Sequence, residues 1–123
     1  MAVSTGSVPA SIIGTSIIED TSSNATPEDA SSSTGTLHQV YIDNSANSAQ
    51  VYLKLYEAAK GSVTVGTTPP SFIFSCPASS SRQFNFVDGI SWATALSFAT
   101  VTAAGTGGTG SPTESVIVRL TIG

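Results

Sequence analysis

The run Val116-Ile117-Val118-Arg119-Leu120-Thr121-Ile122 repeats every two residues: Val116, Val118, Leu120 and Ile122 share one face, while Ile117, Arg119 and Thr121 take the other. This is the period of a half-buried β-strand, because successive side chains leave a pleated backbone on opposite sides. The same rhythm recurs upstream. Val51, Leu53 and Leu55 alternate with Tyr52, Lys54 and Tyr56; Phe72, Phe74 and Cys76 with Ile73 and Ser75; Leu96 and Phe98 with Ser97 and Ala99; and Phe84 and Phe86 flank Asn85. Leu37 to Asp43 is rich in β-formers. No window longer than about ten residues has the i, i+3, i+4, i+7 spacing of an amphipathic helix. Short strands broken every 8 to 12 residues or so by Gly, Pro, Asn and Ser define an all-β domain. The expected architecture is an antiparallel β-sandwich, jelly-roll-like or Ig-like, or a small barrel.

The breakers predict the connections. Asp43 to Ala49 is dense in Asn, Asp and Ser, which suits a hairpin turn pairing the Leu37 to Asp43 strand with the Val51 to Tyr56 strand. Asp88-Gly89 is a turn pair, since Gly takes a positive φ without steric cost. Thr102 to Thr113, with Gly105, Gly107, Gly108, Gly110 and Pro112, reads as a flexible protruding tip. Upstream of Leu37 the chain changes character. Residues 1–35 contain no aromatic side chain, and although the Ile12-Ile13 and Ile17-Ile18 pairs could each supply an edge strand, Thr21 to Ser33 is polar and reads as a long loop. The expected organisation is an extended or partly ordered N-terminal arm over residues 1–35 and a β-sandwich domain over 36–123.

Composition narrows the function. A chain of 123 residues fits one domain. Charged residues make up 10% of it, against about 25% in ordinary domains. The net charge of -4, with only 4 Lys and Arg, lacks the cationic footprint of a nucleic-acid binder. One cysteine, Cys76, excludes an internal disulfide and suits assembly in a reducing cytoplasm. Neither a secretion signal nor an apolar run long enough for a membrane span is expected.

Candidate chemistry is sparse. His38 is the single histidine available to activate a serine or Cys76, and no serine lies in a G-x-S-x-G elbow. His38 reads as a strand-surface residue and Cys76 as a small core residue beside Phe72 and Phe74. One His and one Cys exclude the usual zinc sets. Glu19-Asp20 and Glu28-Asp29 lack calcium-loop spacing and read as solvated charge. No motif links them with Asp43, Glu57, Asp88 or Glu114 into a glycosidase pair. The Gly105 to Gly110 run has no following Lys and no helix pattern, so it does not read as a phosphate loop. Asn24-Ala25-Thr26 matches a glycosylation acceptor, which carries little weight without a secretion signal. Trp92, Tyr41, Tyr52 and Tyr56 could form a sugar-stacking platform, though aromatics in a small β fold mostly pack. The prediction is no catalytic, cofactor or metal residues.

From Leu37 to Ile122 the chain carries, in order, Val40-Tyr41-Ile42-Asp43-Asn44, Val51-Tyr52-Leu53-Lys54-Leu55-Tyr56, Gly66-Thr67-Thr68-Pro69-Pro70, Phe84-Asn85-Phe86 before Asp88-Gly89-Ile90, Ala95-Leu96-Ser97, a Thr/Gly-rich loop and Val116-Ile117-Val118. In this order of segments it resembles short bacteriophage structural proteins. The resemblance implies a non-enzymatic virion component, similar to the decoration (cement) proteins that stud capsids, often as homotrimers. Its partners would be the major capsid protein and copies of itself on the outer capsid surface. The alternative is a tail or fibre-associated module that recognises a host surface glycan around Trp92.

Overall fold

The computed structural model describes residues 16–123. They form eight strands: β1 (Ser16–Ser23), β2 (Glu28–Ser31), β3 (Gly35–Asp43), β4 (Val51–Tyr56), β5 (Phe72–Cys76), β6 (Ser81–Trp92), β7 (Leu96–Val101) and β8 (Val116–Ile122). The helical content among them is one 3-10 turn, Lys60–Ser62. The strands make two four-stranded sheets, ordered β1-β8-β3-β6 and β2-β7-β4-β5. Every paired neighbour is antiparallel.

This order discriminates among the expected architectures. β1 pairs β8, β2 pairs β7, β3 pairs β6 and β4 pairs β5, as though one long hairpin had been wound into two layers. That is the topology of a double-sheet jelly roll. An immunoglobulin-like sandwich instead places its first two strands side by side in one sheet. The packed interior follows the alternation: Val116, Val118 and Leu120 of β8 are fully buried against Leu37, Val40 and Ile42 of β3, Val51, Leu53 and Leu55 of β4, and Leu96 and Phe98 of β7. Each such side chain contributes about 1.5–3 kcal/mol relative to exposure, so this interior dominates stability.

Three expected connections are corrected. First, β3 and β4 do not form a hairpin but lie in different sheets. The Asn-rich link is an arch held from inside: Asn44 is wholly buried, and its Nδ2 donates to the carbonyls of Ala49 (2.9 Å) and Pro77 (3.0 Å). Asn47 Nδ2 donates to Asn44 Oδ1 at 2.9 Å and to Glu114 O at 3.1 Å, while Asn47 Oδ1 accepts from the Glu114 amide at 2.8 Å. Three separate links are thereby tied at one end of the sandwich. Second, Asp88-Gly89 does not separate two strands. The β3–β6 register steps from Leu37↔Ile90 to Gln39↔Asn85, so residues 86–89 stand opposite His38 alone and β6 bulges outward. Gly89 has φ 74°, and a Cβ there would collide with Thr36 Cγ2. Third, the glycine-rich segment is folded back onto β4 rather than protruding.

The polar loop expected from Thr21 to Ser33 also carries strand structure. β1 runs to Ser23 on the edge of one sheet, and β2 occupies Glu28–Ser31 on the edge of the other. An edge strand needs only one apolar face and one set of ladder bonds, so Ile18, Ser23 and Ala30 suffice as inward residues. Ile17-Ile18 supplies the edge strand their pairing suggested. Residues from Ser16 onward thus take part in the sheets, inside the segment expected as an arm; residues 1–15, including Ile12-Ile13, lie outside the described residues.

Candidate functional site

Residues singled out by their chemistry are scattered. His38 sits at the double irregularity of β3, half-buried, with its Nδ1 buried and unpartnered. Cys76 is buried in the sandwich interior; its Sγ lies 3.4 Å from Ser80 O, and burial raises the thiol pKa above its ordinary value. Such a thiol is a packing residue, because the nucleophilic form is the thiolate. Neither is paired with the other or with an activating carboxylate.

The four N-terminal carboxylates do converge. β1 and β2 flank one open side of the sandwich, where Asp20, Ser22, Asn24, Glu28 and Asp29 line a cleft of about 430 Å³ floored by Ile18 and Phe98. Each carboxylate already has a partner. Glu19 pairs with Arg119, Glu28 lies 3.6 Å from Lys60 Nζ, Asp29 Oδ1 accepts the Lys60 amide at 2.8 Å, and Asp20 Oδ1 accepts the Ser22 amide at 2.9 Å. Among the described residues no three His, Cys, Asp or Glu side chains are grouped to hold a metal ion. The remaining candidates, Asp43, Glu57, Asp88 and Glu114, do not line this cleft.

The opposite open side has different chemistry. β5 and β6 are the outermost strands of their sheets, and between them Phe74 stacks at 5.0 Å from Phe84 and 5.6 Å from Phe86, centroid to centroid. Phe72, Phe74, Phe84, Phe86 and Ile90 are only partly covered, and Val87 at the tip of the β6 bulge is 94% exposed. Among the described residues no strand pairs with the outer edge of β5 or β6, so backbone groups there can extend a ladder and the rings can be further desolvated.

The aromatic platform does not assemble. Trp92 is 4% exposed, and its Nε1 donates to Ser33 O at 2.7 Å. Tyr56 is 1% exposed. Tyr41 and Tyr52 remain half-buried but on different sheets, and the guanidinium of Arg119 sits 5.2 Å over the Tyr41 ring.

The alternation conceals the surroundings of one charged residue. Lys54 lies on the outer face of β4, where a charged side chain reads as solvent-facing, yet it is wholly buried. Its Nζ donates to Gly105 O at 2.6 Å and Gly108 O at 3.1 Å, and burial lowers its pKa below the ordinary lysine value. The glycine-rich loop thus presents carbonyls to a cation, the opposite of a phosphate cradle. No helix among the described residues is long and apolar enough to cross a membrane. No protein-family model, curated protein or solved structure matches this chain.

Proposed function

We propose that this chain is a structural component of a bacteriophage particle, a decoration (cement) protein that binds the outside of the head shell and stabilises it by contact rather than by turnover. The observation that carries this reading is the jelly roll whose aromatic seam between the β5 and β6 edges is only partly covered among the described residues. Double-sheet jelly rolls recur in viral capsid domains, an analogy of architecture that adds to the resemblance of Leu37 to Ile122 to phage structural proteins. In this role the seam and its edges meet the major capsid protein or further copies of the chain, as a homotrimer on the outer capsid surface after assembly in the host cytoplasm. Jelly rolls also occur among lectins, but a glycan-binding tail module is disfavoured by the burial of Trp92 and Tyr56.

The test is immunogold labelling of intact particles made in cells that express this chain. Dense labelling distributed over the head is the expected result. Label confined to one vertex would support the tail reading instead, and particles free of the protein would refute both.

A further inference from the structure

In the sheet β1-β8-β3-β6 the two outer strands suit each other. Four strands with antiparallel neighbours throughout leave β1 and β6 running in opposite directions. A second copy set beside the first, the same way up, therefore brings its β1 antiparallel to the first copy's β6. Among the described residues no strand pairs with the outer edge of either.

The registers settle which side chains meet. Asp20 is level with Arg82, through the partners Val118 and Ile42, and Ile18 is level with Phe84, through Leu120 and Val40. Val118, Ile42, Leu120 and Val40 are fully buried, and directly opposed residues share a face, so the four outer residues stand on the inner face too. Phe84 belongs to the aromatic seam, with Arg82 two residues away, whereas Asp20 and Ile18 line the cleft on the opposite open side. Copies aligned side by side thus oppose cation to carboxylate and ring to isoleucine, with Gln83 level with Glu19 between them.

The charges at these positions are also the ones left over. Of the four Lys and Arg, Lys54 is held by two carbonyls, Lys60 lies beside Glu28 and Arg119 pairs with Glu19. Arg82 is exposed, and its Nη1 reaches only Ser75 O at 3.4 Å and Ser75 Oγ at 3.5 Å. Asp20 accepts the Ser22 amide and pairs with no cation among the described residues. The regular part of β6, Ser81 to Asn85, holds no carboxylate, so a second β6 offers Arg82 no counter-charge. A second copy's β1 does.

We infer that the β6 side of one copy docks on the β1 side of the next, a head-to-tail contact in which Arg82 meets Asp20 and Phe84 meets Ile18. It gives the seam one of the two partners proposed above and rests on that reading of the seam as a contact surface. The two patches differ, so every copy offers both and the contact repeats from copy to copy. The 8 residues of β1 span about 25 Å and the sheets lie about 10 Å apart, which makes each patch about 400–500 Å² with overhanging side chains. Twice that area is small for a specific complex. The free chain therefore associates weakly, and copies held side by side on a shell gain from multivalency.

The test is sedimentation velocity of the purified full chain from about 1 μM to 1 mM, spanning weak association. A reversible rise in mass with concentration, reduced by added salt, is expected. Arg82→Glu and, separately, Asp20→Arg should each weaken it about tenfold or more, and mixing the two variants or combining both in one chain should restore it. Asp20→Asn, which keeps an oxygen for the Ser22 amide, should weaken it in the same direction with the urea midpoint unchanged. A monomer at every concentration would overturn the inference and leave the seam to the capsid protein. Association sensitive to Arg82→Glu but indifferent to Asp20→Asn and Asp20→Arg would overturn the head-to-tail order in favour of β6 on β6. No particle enters this measurement, so its failure leaves the head labelling standing, and unlabelled particles leave the self-association standing.

Discussion

Replacing Asn44 by alanine should destabilise the fold by about 3–4 kcal/mol although it removes no apolar contact. The Asn44 side chain is wholly buried, and its loss strands the Ala49 and Pro77 carbonyls in part-buried positions and one Asn47 amide hydrogen in a buried one. A lost buried bond costs about 1 kcal/mol net, rising towards 1–3 when a partner stays buried and unsatisfied, and three partners are involved. That is a large share of the roughly 5–15 kcal/mol by which a domain is stable. Urea denaturation with a slope of about 2 kcal/mol/M would register it as a midpoint shift of roughly 1.5–2 M. Asn44→Asp should cost more, because it turns the amide donors into an oxygen facing two carbonyl oxygens. Pairing Asn44→Ala with Asn47→Ala tests whether the arch acts as one network, with an expected coupling of about 1 kcal/mol or more. A loss under about 1 kcal/mol for Asn44→Ala, or strict additivity of the pair, would refute the reasoning.

Three further outcomes follow from single positions. Cys76 should react with a thiol reagent at least about a hundredfold more slowly in the native protein than in denaturant, since burial both hides it and raises its pKa. Hydrogen bonds from Ser45, including its amide at 3.0 Å, hold the Asp43 carboxyl below its ordinary 3.8. A depressed folded value means that the stabilisation is present above the unfolded value near 4 and fades as pH falls through the folded one; Asp43→Asn should therefore flatten the acid limb of the stability curve measured below about pH 4. Gly89→Ala should destabilise by about 1–3 kcal/mol in thermal or chemical melts, because φ is 74° and the new Cβ would meet Thr36.

The strands with a buried face of large side chains were legible from the sequence: β4, β5, β7, β8 and the body of β6 all follow the alternation of Val, Leu and Phe. What escaped were features in which polar residues are buried. Asn44 and Asn47 have the composition of a solvated turn, and nothing local distinguishes an Asn that bonds water from one whose amide reaches the distant carbonyl of Pro77 or of Glu114. Lys54 alternates like an exposed residue; only the return of Gly105 and Gly108, fifty residues later, removes it from water. The pairing of β3 with β6 and β8 rather than β4 is likewise a non-local choice, set by which hydrophobic faces meet. His38 and Cys76 lie apart, whereas Glu19, Asp20, Glu28 and Asp29 meet at one cleft because β1 and β2 flank the same open side; that meeting, like the seam between β5 and β6, becomes visible only when two sheet edges are known to lie on the same side.

The incorporation of Glu28–Ser31 and Ser16–Ser23 into the sheets changes how an arm must be tested. Cutting the chain before Gly35 would remove β1 and β2 together, baring the β8 edge beside Val118 and Leu120 and the β7 edge beside Leu96 and Phe98. Two of the eight strands would go, along with the buried Ser23–Thr100 hydroxyl contact at 2.7 Å that ties β1 to β7. Loss of particle binding in such a truncation would report a damaged sandwich rather than a missing contact. A cut immediately before Ser16 leaves every described strand in place, so binding lost there, with the urea midpoint unchanged, assigns the contact to residues 1–15. Binding retained there, but lost on Phe84→Ser or on Val87→Asp at the exposed tip of β6, assigns it to the aromatic seam. Because Val87 is almost wholly exposed, its replacement leaves the core intact and separates a docking effect from a folding one.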